Sequence, residues 1–210
     1  MTFRFVSMLV VAALAGPMAS AADGSLEAKA VAGLMAGGKV IVLRHANSPA
    51  GQAGAVGMTA GCRLADGRGL DAIGFAQARA MGAYLAEAGI RISAVYTSEM
   101  CRAWDTARLA SSGGEAAAVE ALVSTDAAIV DAFKTQLEAE IVEDCLDGVC
   151  GNILLASHSN VVPQFGAIPA EGEPETPSGA LYVVDPATWT ALGRVDFMVQ
   201  TGDDPMSARH

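Results

Sequence analysis

Four apolar runs decide most of what this chain can become. "KVIVLRH" (39–45), "ISAVYTS" (92–98), "NILLASH" (152–158) and "ALYVVD" (180–185) are each of strand length, and none alternates cleanly between apolar and polar residues. A strand with water on one face alternates. A strand without alternation is buried on both faces, as in a parallel sheet covered by helices. A further strand is expected around "LGRVDFMVQ" (192–200), and "AAAVEALV" (116–123) is a weaker candidate.

Helical patterns fall between these runs. Asp71 is placed to cap "AIGFAQARAMGAYLAEA", and Gly89 to end it. Ser98 is placed to cap "EMCRAWDTARLA". In "TDAAIVDAFKTQLEAEIVE", Ile129, Phe133, Leu137 and Ile141 recur every four residues, the core stripe of an amphipathic helix. Strands alternating with helices predict an α/β fold: a single three-layer α/β/α domain with a mostly parallel central sheet. "AEGEPETPSG" (170–179) reads as a surface loop. From Ala46 to Gly69 the chain is rich in Gly and Ala without a period, and so long a loop in a compact domain is often functional.

The N-terminus has the pattern of a secretory signal. Arg4 supplies a positive start, "FVSMLVVAALAG" an apolar run too short to span a bilayer comfortably, and Ala19-Ser20-Ala21 a cleavage site. The expectation is a signal peptide over 1–21 and a folded domain over 22–210, in the periplasm or secreted, with no membrane attachment after cleavage. The net charge of -10 gives no footprint for nucleic acid or anionic membrane surfaces. An anionic substrate would need a local cationic pocket set against that field. The sequence carries no mark of oligomeric state.

Four cysteines, Cys62, Cys101, Cys145 and Cys150, fit an oxidising compartment. They allow three pairings. "CLDGVC" could close a small loop between Cys145 and Cys150, leaving Cys62 and Cys101 as the other pair. A zinc site is disfavoured, since there is no C-x-x-C and no histidine lies near these cysteines in sequence. "GLMAGGKV" (33–40) imitates the start of a P-loop. It lacks the Ser or Thr after Lys39 and precedes a strand instead of following one.

The chemistry-bearing residues gather at strand ends. Of three histidines, His210 is the final residue, while His45 and His158 each end an apolar strand and are each followed by a small residue and an Asn (Asn47 and Asn160). In a parallel sheet the carboxyl ends share one edge, where ligands of open α/β folds bind. If the two strands are neighbours, the imidazoles face one crevice. Arg44 precedes the first histidine, and Arg102 falls in the first turn of the helix after a third strand, at its electropositive end. Guanidinium forks match phosphate oxygens in charge and geometry, so this is a pocket for a phosphoryl group. Arg63 and Arg68 lie in the following loop, where solvation is the default and contact with a leaving group the lesser alternative.

"LRHANSP", "YTSEMCRAWDTA" and "LLASHSN" together resemble, in order, the three signature stretches of the histidine phosphatase superfamily, the phosphoglycerate-mutase-like proteins, branch 1. The resemblance covers roughly 38–199 and is greatest to small exported members such as the lipopolysaccharide-core heptose phosphatases. It implies a phosphomonoesterase acting on a small phosphorylated substrate. His45 would be the nucleophile, and Arg44, Arg102, His158 and Asn47 would bind phosphate. No metal and no cofactor are required, because arginines form the cationic clamp. Cys101 beside Arg102 could be a reactive thiol at the helix N-terminus, but in an exported protein a disulfide with Cys62, which would pin the long loop against the site, is the expectation.

The chain departs from the family where an acid is needed. Members often carry a Leu-x-Glu after the third strand, where this chain has Ser124 in "EALVSTDAA", and Ser159 follows His158 in place of an Asp. Asp126 is the candidate proton donor, with Glu120 as the alternative. The bland reading of Asp126 is a first-turn acid near a Ser124 or Thr125 cap. Two other functions stay open: a phosphate- or phosphosugar-binding protein that has lost turnover, and a mutase-type phosphotransferase.

Overall fold

The computed structural model describes residues 24–48, 68–146 and 148–197. The proposed signal segment therefore lies outside the described residues, as does most of the 46–69 loop. Chain order is α1 (Gly24–Ala36), β1 (Val40–Arg44), α2 (Ala72–Glu87), β2 (Ile92–Thr97), α3 (Cys101–Ala110), β3 (Ala117–Ala118), α4 (Ala127–Asp144), β4 (Asn152–Ser157), β5 (Ala180–Asp185) and β6 (Thr190–Asp196). Short 3-10 turns cover Glu120–Leu122 and Val162–Phe165.

One six-stranded sheet runs in the order β3-β2-β4-β1-β5-β6. The pairs β3–β2, β2–β4 and β4–β1 are parallel, and β5 runs antiparallel to both β1 and β6. Five strands thus share one direction, as expected of a mostly parallel sheet. "ALYVVD" is the exception: it reads as a parallel strand because both its faces are buried, yet it pairs antiparallel with β1, and a tight turn at Asp185–Thr190 then returns the chain along β6.

Alternation along β1 explains its unbroken apolar run. Val40 and Val42 enter one core with Leu155 of β4, Tyr182 of β5 and Val130, Phe133, Leu137 and Ile141 of α4. Ile41 and Leu43 enter the other with Leu34 of α1, Met81 and Leu85 of α2 and Ala107 of α3. Neither face meets water, so neither face of the strand carries polar residues. Three helices cover one side of the sheet and α4 the other, giving the three layers.

Local expectations divide by cause. Asp71 caps α2 by accepting from the Gly74 N–H at 2.8 Å, and Gly89 beyond its end takes the left-handed conformation at φ +66°. Ser98 does not cap α3. That helix starts at Cys101 with Met100 at the cap position and no side-chain cap bond, because Ser98 is engaged elsewhere. The 116–123 strand shrinks to two residues before a 3-10 turn, and the late strand begins at Thr190, two residues earlier than expected. α1 has no counterpart among the sequence expectations.

Candidate active site

β1 and β4 are neighbours. They run parallel with Arg44 opposite Ser157, and the His45 N–H donates to the Ser157 carbonyl at 2.8 Å. The next residue along each strand path is a histidine. The His45 and His158 rings accordingly meet edge to face, with centroids 5.4 Å apart.

His45 is 5 % exposed. Its Nδ1 lies 2.8 Å from the Ala46 carbonyl oxygen, which can only accept, so Nδ1 carries the proton and Nε2 the lone pair. Burial, opposed by the bond to Ala46 and reinforced by the nearby charges of His158, Arg102 and Arg44, lowers the imidazole pKa to about 3. The ring therefore stays neutral and nucleophilic throughout the physiological range.

The backbone around it is fixed from three sides. The Ala46 N–H donates to Thr106 Oγ1 at 2.9 Å, and Thr106 Oγ1 donates to the Arg102 carbonyl at 2.7 Å. This ties the end of β1 to the first turn of α3. The Asn47 N–H donates to Gln77 of α2 at 2.9 Å. A Cβ on Gly74 would collide with the Asn47 carbonyl oxygen, so α2 can approach this segment only with glycine there.

His158 Nε2 shares a hydrogen bond with Ser98 Oγ at 2.9 Å, and Ser98 Oγ also accepts from the Met100 N–H at 3.3 Å. Ser98 thus orients the second histidine, which is why it does not cap α3. Both histidines line an open cleft of about 410 Å³ together with Arg44, Arg68, Arg102 and Glu175. Arg44 Nη1 donates to Glu175 Oε1 at 2.6 Å and to the Thr176 carbonyl at 2.7 Å. Its Nε is buried and has no hydrogen-bond partner among the described residues. Three guanidinium groups, two imidazoles and the start of α3 make a cationic pocket in an acidic protein. Such a pocket suits a tetrahedral oxyanion.

Of the residues expected to act on phosphate, Arg44, His45, Arg102 and His158 are brought together. Asn47 is placed otherwise: its amide donates to Asp71 at 2.8 Å and so steadies the α2 cap, and it does not line the cleft. Asp126 is exposed and is the N-cap of α4, accepting from the Ala128 N–H at 2.9 Å, and it too is absent from the cleft wall. Its side chain satisfies a helix-end donor, so Asp126 is itself the cap and not a first-turn acid behind a Ser124 or Thr125 cap. Glu120 lines a separate depression with Glu99, which adjoins the cleft at Val123.

Cys145 and Cys150 form a disulfide. Cys101 is also disulfide-bonded; Cys62, the other half of the expected pair, lies outside the described residues, as does Arg63. Sequence reasoning missed Glu175, which sits in a loop of low complexity with no periodic signal. Arg68, whose default reading is a solvated loop residue and whose alternative is contact with a leaving group, lines the cleft and donates to the Ser48 carbonyl.

Residues 40–137 match the family model of the histidine phosphatase superfamily (branch 1). No curated protein matches the sequence. Among solved structures, the chain is similar to the protein histidine phosphatase SixA complexed with tungstate, at 20% identity over 75% of this chain and 93% of that one, with a TM-score of 0.48. It is also similar to phosphoglycerate mutase from Thermus thermophilus, at 22% identity over 76% of this chain and 99% of that one, with a TM-score of 0.45.

Proposed function

We propose, with residues 40–137 belonging to the histidine phosphatase superfamily (branch 1), that this protein is a phosphoric monoester hydrolase working through a phosphohistidine on His45. The observation that carries this reading is the state of that imidazole. It is buried, neutral, protonated on Nδ1 by its bond to Ala46, and set in a cleft with three arginines and a second histidine.

In this reading His45 Nε2 attacks phosphorus in line with the departing oxygen. Arg44, Arg102 and His158 hold the equatorial oxygens and stabilise the charge that spreads over them. Water then attacks the phosphohistidine and releases phosphate. The guanidinium groups supply the positive charge, so the reaction proceeds without a metal ion. The protein acts outside the cytoplasm; its N-terminal sequence and the Cys145–Cys150 disulfide support that placement.

The position of Asp126 and Glu120 away from the cleft favours one second reading, a phosphate-binding protein without turnover. One experiment separates the two. Purified protein is incubated with para-nitrophenyl phosphate and EDTA beside a His45→Ala control. Turnover that survives EDTA and disappears in the variant is the expected result. Vanadate binding without turnover would overturn the enzyme reading and leave the binding protein.

A further inference from the structure

A phosphate ester with an alkyl leaving group needs an acid, because an alkoxide departs slowly without a proton. The carboxylates expected to serve lie elsewhere: Asp126 is bound to a helix end and Glu120 lines the neighbouring depression. Among the described residues, Glu175 is the carboxylate that lines the same cleft as His45, His158 and the arginines.

Its position is built. The Arg44 guanidinium holds Oε1 at 2.6 Å, and Ser159, next to His158, donates to the same carboxylate. The adjoining Thr176 is fully buried, gives its carbonyl to Arg44 and donates its hydroxyl to the Ala167 carbonyl at 2.8 Å. Two residues earlier, Glu173 is paired with Arg194 of β6 at 2.8 Å. The loop is thus fastened on both sides of Glu175, while half of the Glu175 side chain remains open to the cleft and solvent.

We propose that Glu175 is the general acid and base of this site. The inference rests on the phosphatase reading given above. In the empty cleft Glu175 is ionised: its bonds from Ser159 and Arg44 favour the charged form. A bound ester sets a second anion against the same guanidinium. Two anions beside one cation share a proton, which comes from solvent as the ester binds. Among the described residues, the other charged or titratable groups lining the cleft are Arg68, Arg102, His45 and His158.

The proton balance closes over two steps. His45 Nε2 forms the N–P bond as the ester P–O bond breaks, and the Glu175 carboxyl gives its proton to the departing oxygen, releasing an alcohol. Water then forms a P–O bond as the N–P bond breaks, the electron pair returns to Nε2, and the Glu175 carboxylate takes one proton from the water. Glu175 is restored and inorganic phosphate leaves.

The test compares leaving groups. Wild type and Glu175→Gln are assayed with an alkyl phosphate, β-glycerophosphate, and with para-nitrophenyl phosphate, whose phenolate departs without much help. The expected result is a loss in kcat/KM on the alkyl ester about a hundredfold greater than the loss on the aryl ester. Equal losses on both would overturn the assignment and make Glu175 a positioning residue for Arg44, as would no loss on either. Wild-type protein that turns over neither ester would instead overturn the phosphatase reading. Circular dichroism of the variant checks that it folds.

Discussion

At neutral pH the buried imidazole of His45 carries one proton, on Nδ1, and its pKa of about 3 lies well below the 6.5 of an unfolded chain. Between those values the unfolded state binds a proton that the folded state does not. Stability therefore falls as pH drops below 6.5, by up to about 1.4 kcal/mol per pH unit from this group, until pH nears 3. Thermal melts from pH 7 to 4 should show a shallower pH dependence in His45→Asn than in wild type. An equal slope in both would contradict the depressed pKa. The same residue scale sets the role of Ser98. Ser98→Ala removes a hydrogen bond that orients His158. We expect kcat/KM to fall about fivefold, consistent with a net hydrogen-bond contribution near 1 kcal/mol.

The elements deliver these side chains by close approach. Gly74→Ala would drive a methyl into the Asn47 carbonyl oxygen, against backbone that cannot yield cheaply. We expect a loss of about 1–3 kcal/mol in stability together with reduced turnover, since Asn47 is two residues from His45. Leu137→Ala on α4, a fully buried side chain on the far side of the sheet, should cost about 2–5 kcal/mol in denaturant melts. What the sequence showed at this scale follows from locality. The strand-end histidines, the Asp71 cap and the α4 stripe are set by residues a few positions apart, so a period or a spacing exposes them. The direction of β5, the true start of α3 and the place of Glu175 are set by partners far along the chain. Ser98 has the chemistry of a cap and is diverted by a histidine 60 positions away. Glu175 has the composition of a surface loop, and its bonds to Arg44, 131 positions away, and to Ser159 make it part of the cleft. α1 shows no stripe because its buried residues are few: Ala30 and Leu34 face the core among exposed neighbours.

Across the whole molecule, charge and covalent links matter most. A net charge of -10 surrounds a cationic pocket, so in the proposed reading the field outside the cleft opposes the anion that the arginines inside it would attract. Raising ionic strength screens the outer field over about 10 Å at 0.1 M salt. Phosphate association rates measured by stopped flow should therefore rise with salt at low ionic strength instead of falling. The Cys145–Cys150 link closes a very short loop at the end of α4. Replacing both cysteines by alanine should lower stability by about 2 kcal/mol and leave the pocket intact, as judged by melting temperature and phosphate affinity.

The order of the sheet has a consequence for how the protein is made. β1 leaves the ribosome well before both of its neighbours, β4 and β5; Lys39 and Asn152, at the start of the β1–β4 pairing, are 113 positions apart. Until β4 and β5 have been synthesised, β1 has nothing to pair with and His45 has no partner histidine. Contacts of such long sequence separation form late and slow folding. The nascent chain would therefore remain unfinished at its centre until β4 and β5 emerge. A product truncated before His158 would lack one of the two imidazoles of the cleft.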